Sequence, residues 1–331
     1  MGAVIEKSTG TSKANLEVFS STLQELAAVD KNIIVVTSDS RGSGKLIQFG
    51  QKFPQQIIEV GIAEQNLVGV AAGLASAGKK VFAVSPACFL TARALEQIKN
   101  DVAYSDNPVK LIGISAGVSY GALGSTHHSL HDFAVLRAIN NIIIVAPADN
   151  YETVEAIKLA AELQQPVYLR FGKKVMQDLP FTDDKKFEFG KGRIIKKGSG
   201  IAFISTGETV FLSLRAAEKI EREQNIHATV ISMHTIKPLD YELLAATADS
   251  CKVIITVEEH SVYGGLGEAC ASFLLQNRNP SSGRPWRGSF KIVGIPDEYT
   301  VTGSQSEIFN HYGISENGLA NTALELLQKT K

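Results

Sequence analysis

The sequence predicts an α/β protein with two doubly wound, mostly parallel sheets, and three observations lead there. Short apolar runs rich in β-branched residues alternate with segments of helical periodicity, as at Ile33-Ile34-Val35-Val36 and Val81-Phe82-Ala83-Val84. Those runs are continuous rather than alternating, which suits parallel strands covered by helices on both faces. The 331 residues are long for one core, and the pattern stops and restarts once, so two domains are expected.

A first helix is expected over residues 13–29, with Leu16, Phe19, Leu23 and Leu26 on one face. The strand at residues 33–36 runs into Thr37-Ser38-Asp39-Ser40-Arg41-Gly42-Ser43. Loops that follow parallel strands are where sites form in such sheets. Residues 56–60 read as a short buried strand, Gly61 as a turn, and Glu64 as the first turn of a helix. Residues 67–75 carry almost no polar side chain, so that helix is expected to be buried all round. Two readings of Glu64 follow. It complements the helix dipole with its tip in water, or it is a carboxylate carried inside, which must be paired, protonated or used.

Further strands are expected at residues 81–84, 109–114, 142–145 and 167–169, with an amphipathic helix over 93–101 that shows Arg93 to solvent or an interface. Near Gly172 the texture becomes charged and glycine-rich, through Lys173-Lys174, Asp183-Asp184-Lys185-Lys186 and residues 190–200. This marks a connection, placed at 173–190, between domains at 1–172 and 191–331. The second alternation has strands at 201–205, 228–232, 253–257 and 291–295, helices at 209–223 and 317–327, and an exposed loop at 279–288. Gly264-Gly265-Leu266-Gly267 lacks the full G-x-G-x-x-G spacing, so it reads as a glycine turn opening a helix, with room for an anion, not as a dinucleotide site.

The formal net charge of -1 argues against surfaces that hold nucleic acid or membrane through bulk positive charge. Cys88, Cys251 and Cys270 are widely spaced and form no metal pattern, which suggests a reducing cytoplasm. Residues 1–15 are polar, without the apolar stretch of a signal peptide. No run approaches the ~18 apolar residues of a membrane span. In Thr126-His127-His128-Ser129-Leu130-His131-Asp132, His127 and His131 are spaced to share a helix face and a metal. No cysteine or clear third ligand is near, so a metal is not expected; a polar capping segment is the plainer reading.

The run Gly61-Ile62-Ala63-Glu64-Gln65-Asn66, the small-residue helix after it, and residues 81–90 ending Cys88-Phe89-Leu90 resemble the pyrimidine-binding domain of transketolases and deoxyxylulose-phosphate synthases. The resemblance extends over about residues 15–327. It implies thiamine diphosphate as cofactor. Glu64 would meet N1′ of its aminopyrimidine and act in catalysis, and Phe89 would stack on that ring. His127 falls on the family's D-G-P-T-H histidine, which contacts substrate oxygens, a suitable place for a group that titrates near neutrality. Asp39 and Ser43 fall on a substrate-binding loop. Arg170 falls on an arginine that grips phosphate, a task suited to a guanidinium fork.

No Gly-Asp-Gly occurs, the motif through which a transketolase holds Mg2+ and the diphosphate. The resemblance therefore implies the C-terminal subunit of a split transketolase. An N-terminal partner subunit would supply Mg2+, and two copies of this chain would sit in an α2β2 heterotetramer, with the small-residue helix at 68–77 in a large interface. The pattern departs at four places. The family's Asp and Pro fall on Leu123 and Ser125; a His and an Arg of the phosphate pocket fall near Ser115 and Ser12. Leucine in place of an acid removes a hydrogen-bond acceptor, which implies a non-standard sugar such as apulose phosphate or a sulfo-sugar. The alternatives are the β subunit of a 2-oxo acid dehydrogenase first component, a deoxyxylulose-phosphate synthase-like enzyme, and a non-catalytic scaffold.

Overall fold

The computed structural model describes residues 12–181, 186–277, 283 and 285–329. Residues 1–11, the Asp183-Asp184-Lys185 stretch of the expected connection, and much of the expected loop at 279–288 lie outside the described residues. The strands are β1 (Ile33–Thr37), β2 (Ile57–Glu59), β3 (Lys80–Pro86), β4 (Lys110–Ile114), β5 (Ile143–Val145), β6 (Val167–Arg170), β7 (Arg193–Lys196), β8 (Gly200–Ser205), β9 (Thr229–Ser232), β10 (Thr235–Lys237), β11 (Cys251–Ser261) and β12 (Ser289–Ile295). They form a seven-stranded sheet in the order β10-β5-β6-β4-β3-β1-β2 and a five-stranded sheet in the order β12-β11-β8-β9-β7. All pairs are parallel except β10 with β5 and β7 with β9. The central strands β1, β4 and β6 are buried along their whole length, as their unbroken apolar runs require.

Two strands were not legible in the sequence. Residues 193–196, expected as part of a glycine-rich connection, form edge strand β7. β10, from the second domain, closes the edge of the first sheet, pairing Thr235 with Val145. The domains therefore share material: one core cluster runs from Ile144 and Ala146 to Ala202, Ile204 and Ile231.

Three expectations need correction. β2 is a half-buried edge strand, because only β1 flanks it. The helix Glu64–Ser76 is not covered all round. Asn66 and Gly73 are exposed, Gly69 and Val70 are partly so, and a Cβ added at Gly69 or Gly73 would meet nothing within 4 Å. Its small residues thus leave one open stripe. The helix expected at 93–101 is divided instead. Helix Ala87–Arg93 follows β3 directly, and a short turn leads to a π-helical segment, Ile98–Tyr104.

Because β1, β2, β3, β4 and β6 are parallel, their carboxyl ends lie at one edge. The chain leaves β1 to β2 on one side and returns to β3 on the other. Such a reversal opens a crevice outside the strand ends. Asp39 and Ser43 follow β1, Glu64 follows β2, Phe89 follows β3, His127 follows β4, and Arg170 ends β6. The topology brings every one of these residues to that edge.

Candidate active site

Glu64 opens its helix at 3% exposure. The buried carboxylate is paired: Nη1 of Arg93 donates to Oε1 at 3.1 Å and to Oε2 at 3.0 Å. Arg93 lies one helical turn beyond Phe89 on Ala87–Arg93, the spacing that puts two side chains on one face. Its guanidinium accordingly sits 4.4 Å from the centroid of the Phe89 ring. Phe89 meets the His127 ring edge-on at 5.4 Å, and His127 meets Tyr120 in the same manner at 5.5 Å. The Lys173 ammonium lies 4.4 Å from the Tyr120 centroid. A continuous line of contact thus runs Glu64, Arg93, Phe89, His127, Tyr120, Lys173. Arg93, Tyr120 and Lys173 were missed as site residues. The i,i+4 spacing of Phe89 and Arg93 was the available signal.

His127 stands on a turn, not a helix, since the helix begins only at Asp132. Its Nδ1 is 3.0 Å from Thr126 Oγ1, whereas His131 Nε2 is 3.3 Å from Thr91 Oγ1, so the two imidazoles face different neighbours. The turn is held by the second domain. Buried His128 bonds Thr300 Oγ1 through Nδ1 at 2.6 Å and the Gly121 carbonyl through Nε2 at 3.0 Å. Ser125 Oγ lies 3.1 Å from the same threonine. Burial lowers the pKa of His128 below the usual imidazole value, which suits a neutral ring used as a tie. Leu123, at the end of the tight turn Gly121–Leu123, is 54% exposed.

In the loop after β1, Asp39 adopts φ 53° and its N–H donates to Glu59 Oε1 at 2.6 Å. Gly61 N–H donates to the same oxygen at 3.2 Å, and Arg41 Nε is 3.3 Å from Oε2. Glu59, also missed, ties this loop to the turn that delivers Glu64. Ser43 Oγ donates to the Ser40 carbonyl at 3.2 Å. These bonds tie the Asp39 backbone to Glu59 and the Ser43 hydroxyl to its own loop.

Arg170, expected to grip phosphate, is held largely by the protein's own groups. It is buried, and Nε donates to Asp132 Oδ2 at 2.8 Å. Nη2 donates to the carbonyls of Ser129 at 3.2 Å and Glu259 at 2.7 Å, and the guanidinium lies over Phe133 at 4.6 Å. Its fork is taken by protein groups from both domains. Lys173, three residues on, is exposed, and among the described residues no carboxylate pairs with it. Partial burial and the nearby Lys45 ammonium lower its pKa from the usual lysine value.

The glycine turn of the second domain holds a carboxyl group of the protein's own. Glu258 accepts from Leu266 N–H at 2.7 Å and Gly267 N–H at 2.8 Å, at the start of helix Leu266–Gln276. A Cβ on Gly265 would lie 1.9 Å from Glu258 Oε2, so glycine is required there. Beside it, Gln305 Nε2 donates to Glu208 at 2.9 Å and to Glu259 at 2.7 Å, bridging two carboxyl groups within the second domain. Among the described residues, no group of three or more His, Cys, Asp or Glu is placed to hold a metal ion. Nor is any described helix long and apolar enough to cross a membrane.

Comparison with known proteins places the chain in a family. The family model for the transketolase pyrimidine binding domain matches residues 12–177, and that for the transketolase C-terminal domain matches residues 190–319. The chain belongs to the transketolase family, as the C-terminal subunit of a split enzyme. It is similar to an apulose-4-phosphate transketolase subunit of Phocaeicola vulgatus, at 47% identity over 94% of this chain and 96% of that one. It is also similar to a putative transketolase C-terminal section of Methanocaldococcus jannaschii, at 36% identity over 98% and 99% of the two chains. Among solved structures, a split-gene transketolase described as an inactive β4 tetramer superposes with a TM-score of 0.82 at 33% identity, over 96% of this chain and 99% of that one.

Proposed function

We propose that this chain is the pyrimidine-binding half of a two-subunit transketolase that moves a two-carbon ketol unit between sugar phosphates, with apulose 4-phosphate as the sugar. The observation that carries the reading is the buried Glu64 carboxylate beside the Phe89 ring, with His127 against that ring's edge. A flat aromatic heterocycle needs an apolar face to lie on and a carboxylate at its edge, and the crevice offers both. Thiamine diphosphate fits these residues: Phe89 supports the aminopyrimidine and Glu64 bonds its N1′. When bound, the cofactor supplies the electron sink for breaking the carbon–carbon bond beside the ketose carbonyl.

This chain's own side chains do the rest. Glu64 holds or gives a proton at N1′. His127, 5.4 Å from Phe89, faces the sugar hydroxyls and handles their protons. Asp39 and Ser43 line the loop after β1 at the same sheet edge. Lys173, rather than Arg170, meets the substrate's phosphate, because its ammonium is exposed and has no carboxylate partner among the described residues, while Nε and Nη2 of the buried arginine are bonded to protein groups. Leu123 gives the sugar pocket an apolar rim.

The Mg2+ and diphosphate grip belong, on this reading, to an N-terminal partner subunit in an α2β2 assembly. The open stripe Asn66, Gly69, Val70, Gly73 supports a second copy of this chain packing across that helix. The similar split-gene chain is inactive as a β4 tetramer, and we expect the same of this chain alone. The test is reconstitution with an N-terminal transketolase subunit, thiamine diphosphate and Mg2+. Ketol transfer from apulose 4-phosphate should appear only when all are present, and Glu64→Gln should remove it while the circular dichroism spectrum is kept. Full turnover by Glu64→Gln would end the proposal.

A further inference from the structure

We infer that Arg93 is a place-holder for the cofactor's aminopyrimidine: it occupies the two contacts that the ring must take, and cofactor binding is an exchange of one planar group for another. The inference rests on the pyrimidine reading of Glu64 and Phe89. The guanidinium is flat, presents N–H donors along its edge, and binds by its face to an aromatic ring. Here Nη1 lies within 3.1 Å of both Glu64 oxygens while the guanidinium carbon lies over the Phe89 ring, 4.4 Å from its centroid. These are the face and the edge by which an aminopyrimidine would be recognised. Both oxygens of Glu64 and one face of Phe89 are therefore engaged before any ligand arrives.

The pair is lopsided in a way that identifies the moving part. The Glu64 side chain is 3% exposed and the Arg93 side chain 49%. A long, half-solvated side chain at the end of a short helix can carry its charge out into water. A carboxylate under the surface cannot follow it. Arg93 thus keeps Glu64 from standing as an uncompensated buried charge, a state that destabilises strongly. It also reduces the fraction of molecules ready for cofactor, which weakens the apparent affinity by that fraction. Phe89 and Arg93 being one turn apart on Ala87–Arg93 means that one rotamer change clears both contacts.

The experiment uses the chain assembled with its diphosphate-binding partner and reads thiamine diphosphate binding, not turnover. Titration calorimetry gives Kd, and stopped-flow fluorescence gives the association rate. Arg93→Met keeps the stem and removes the donors and the charge. We expect it to bind the cofactor about three- to tenfold more tightly and associate faster. Its Tm without cofactor should fall below wild type, and the gap should close once cofactor is bound. Arg93→Lys, which keeps charge but lacks the flat fork, should fall between the two. Added salt should speed association in wild type and leave Arg93→Met unchanged, since only wild type has a half-exposed pair to screen.

Weaker binding by both variants would overturn the inference and make Arg93 a ligand that holds the cofactor. Unchanged Kd and rate in both variants, while Glu64→Gln and Phe89→Ala weaken binding, would overturn it and make Arg93 a bystander. If Glu64→Gln and Phe89→Ala also bound normally, the pyrimidine reading itself would fail, and the place-holder inference with it.

Discussion

Arg170 Nε donates to Asp132 Oδ2 at 2.8 Å, and both side chains are buried. Tyr168 Oη donates to the same oxygen at 2.7 Å, and Arg170 also reaches the backbone of Glu259 in the second domain. The pair is thus the centre of a weld between the two sheets. Burial raises the Asp132 pKa, but the Arg170 and His260 charges outweigh it and hold the carboxyl below its usual value.

Removing one partner of such a pair leaves the other charged and unmatched. Asp132→Asn should therefore lose ~3–5 kcal/mol of stability, read as a shift in urea midpoint. The double change Asp132→Asn with Arg170→Met should recover part of it. A single-variant loss under ~1 kcal/mol would show that the weld carries little.

On the proposed function, Lys173 rather than Arg170 is the anion contact. Lys173→Ala should raise KM for the sugar phosphate about tenfold in the reconstituted enzyme and leave kcat within about twofold, because only ground-state binding is touched. The folding midpoint should not change, since the side chain is exposed. An unaltered KM would place the phosphate elsewhere in the crevice.

What the sequence made legible, and what it did not, follows from these residues. Strand position depends on local apolar runs, and β1, β3, β4, β6, β8, β9 and β11 all show one. β10 is three residues long and depends on a partner from the other domain, so nothing local announces it. Glu64, Phe89 and His127 stand out in the sequence through the motifs that carry them, and the structure places them along one line of contact. The engagement of Arg170 was not, because Asp132 and Glu259 approach it only in three dimensions. The glycine turn at 264–267 does open a helix, as its spacing suggests, but the place at its N-terminus is taken by the Glu258 carboxyl group, six residues before the turn.

Two buried glutamates should give the fold a pH dependence of known sign. Burial pushes Glu258 up to about 7 and Glu259 up to about 8, the latter also through the neighbouring Glu208. Unfolded, each titrates near ~4.3. Across that interval the folded state keeps protons that the unfolded state has released. Their contribution is full below about pH 4 and is lost as pH rises through about 8, at up to ~1.4 kcal/mol per pH unit for one proton. Buried Lys110, pushed down to about 7, acts in the opposite direction above neutrality. The glutamate share is therefore read as a difference: wild type minus Glu259→Gln stability, from urea midpoints, should fall between pH 6 and pH 8.5. A difference that is flat across this range would mean that Glu259 is ionised throughout.

Leu123 offers the sharpest test of substrate choice, because it can be changed without touching the fold. It is 54% exposed, it ends a tight turn pinned by His128 and Ser125 to Thr300, and none of those bonds involves its side chain. The transketolase pattern has an aspartate at this place, an acceptor for a sugar hydroxyl. A site built to accept such a hydroxyl favours sugars that carry it, whereas an apolar rim leaves it unbonded. Leu123→Asp should therefore move the ratio of kcat/KM for xylulose 5-phosphate over apulose 4-phosphate upward by about 10- to 100-fold. Both should be measured with the same acceptor in the reconstituted enzyme. Because the substituted side chain lies in water, the urea midpoint should stay within ~0.5 kcal/mol of wild type. A ratio that does not move, with the fold intact, would remove Leu123 from the residues that choose the sugar and leave its exposure as a feature of the turn alone.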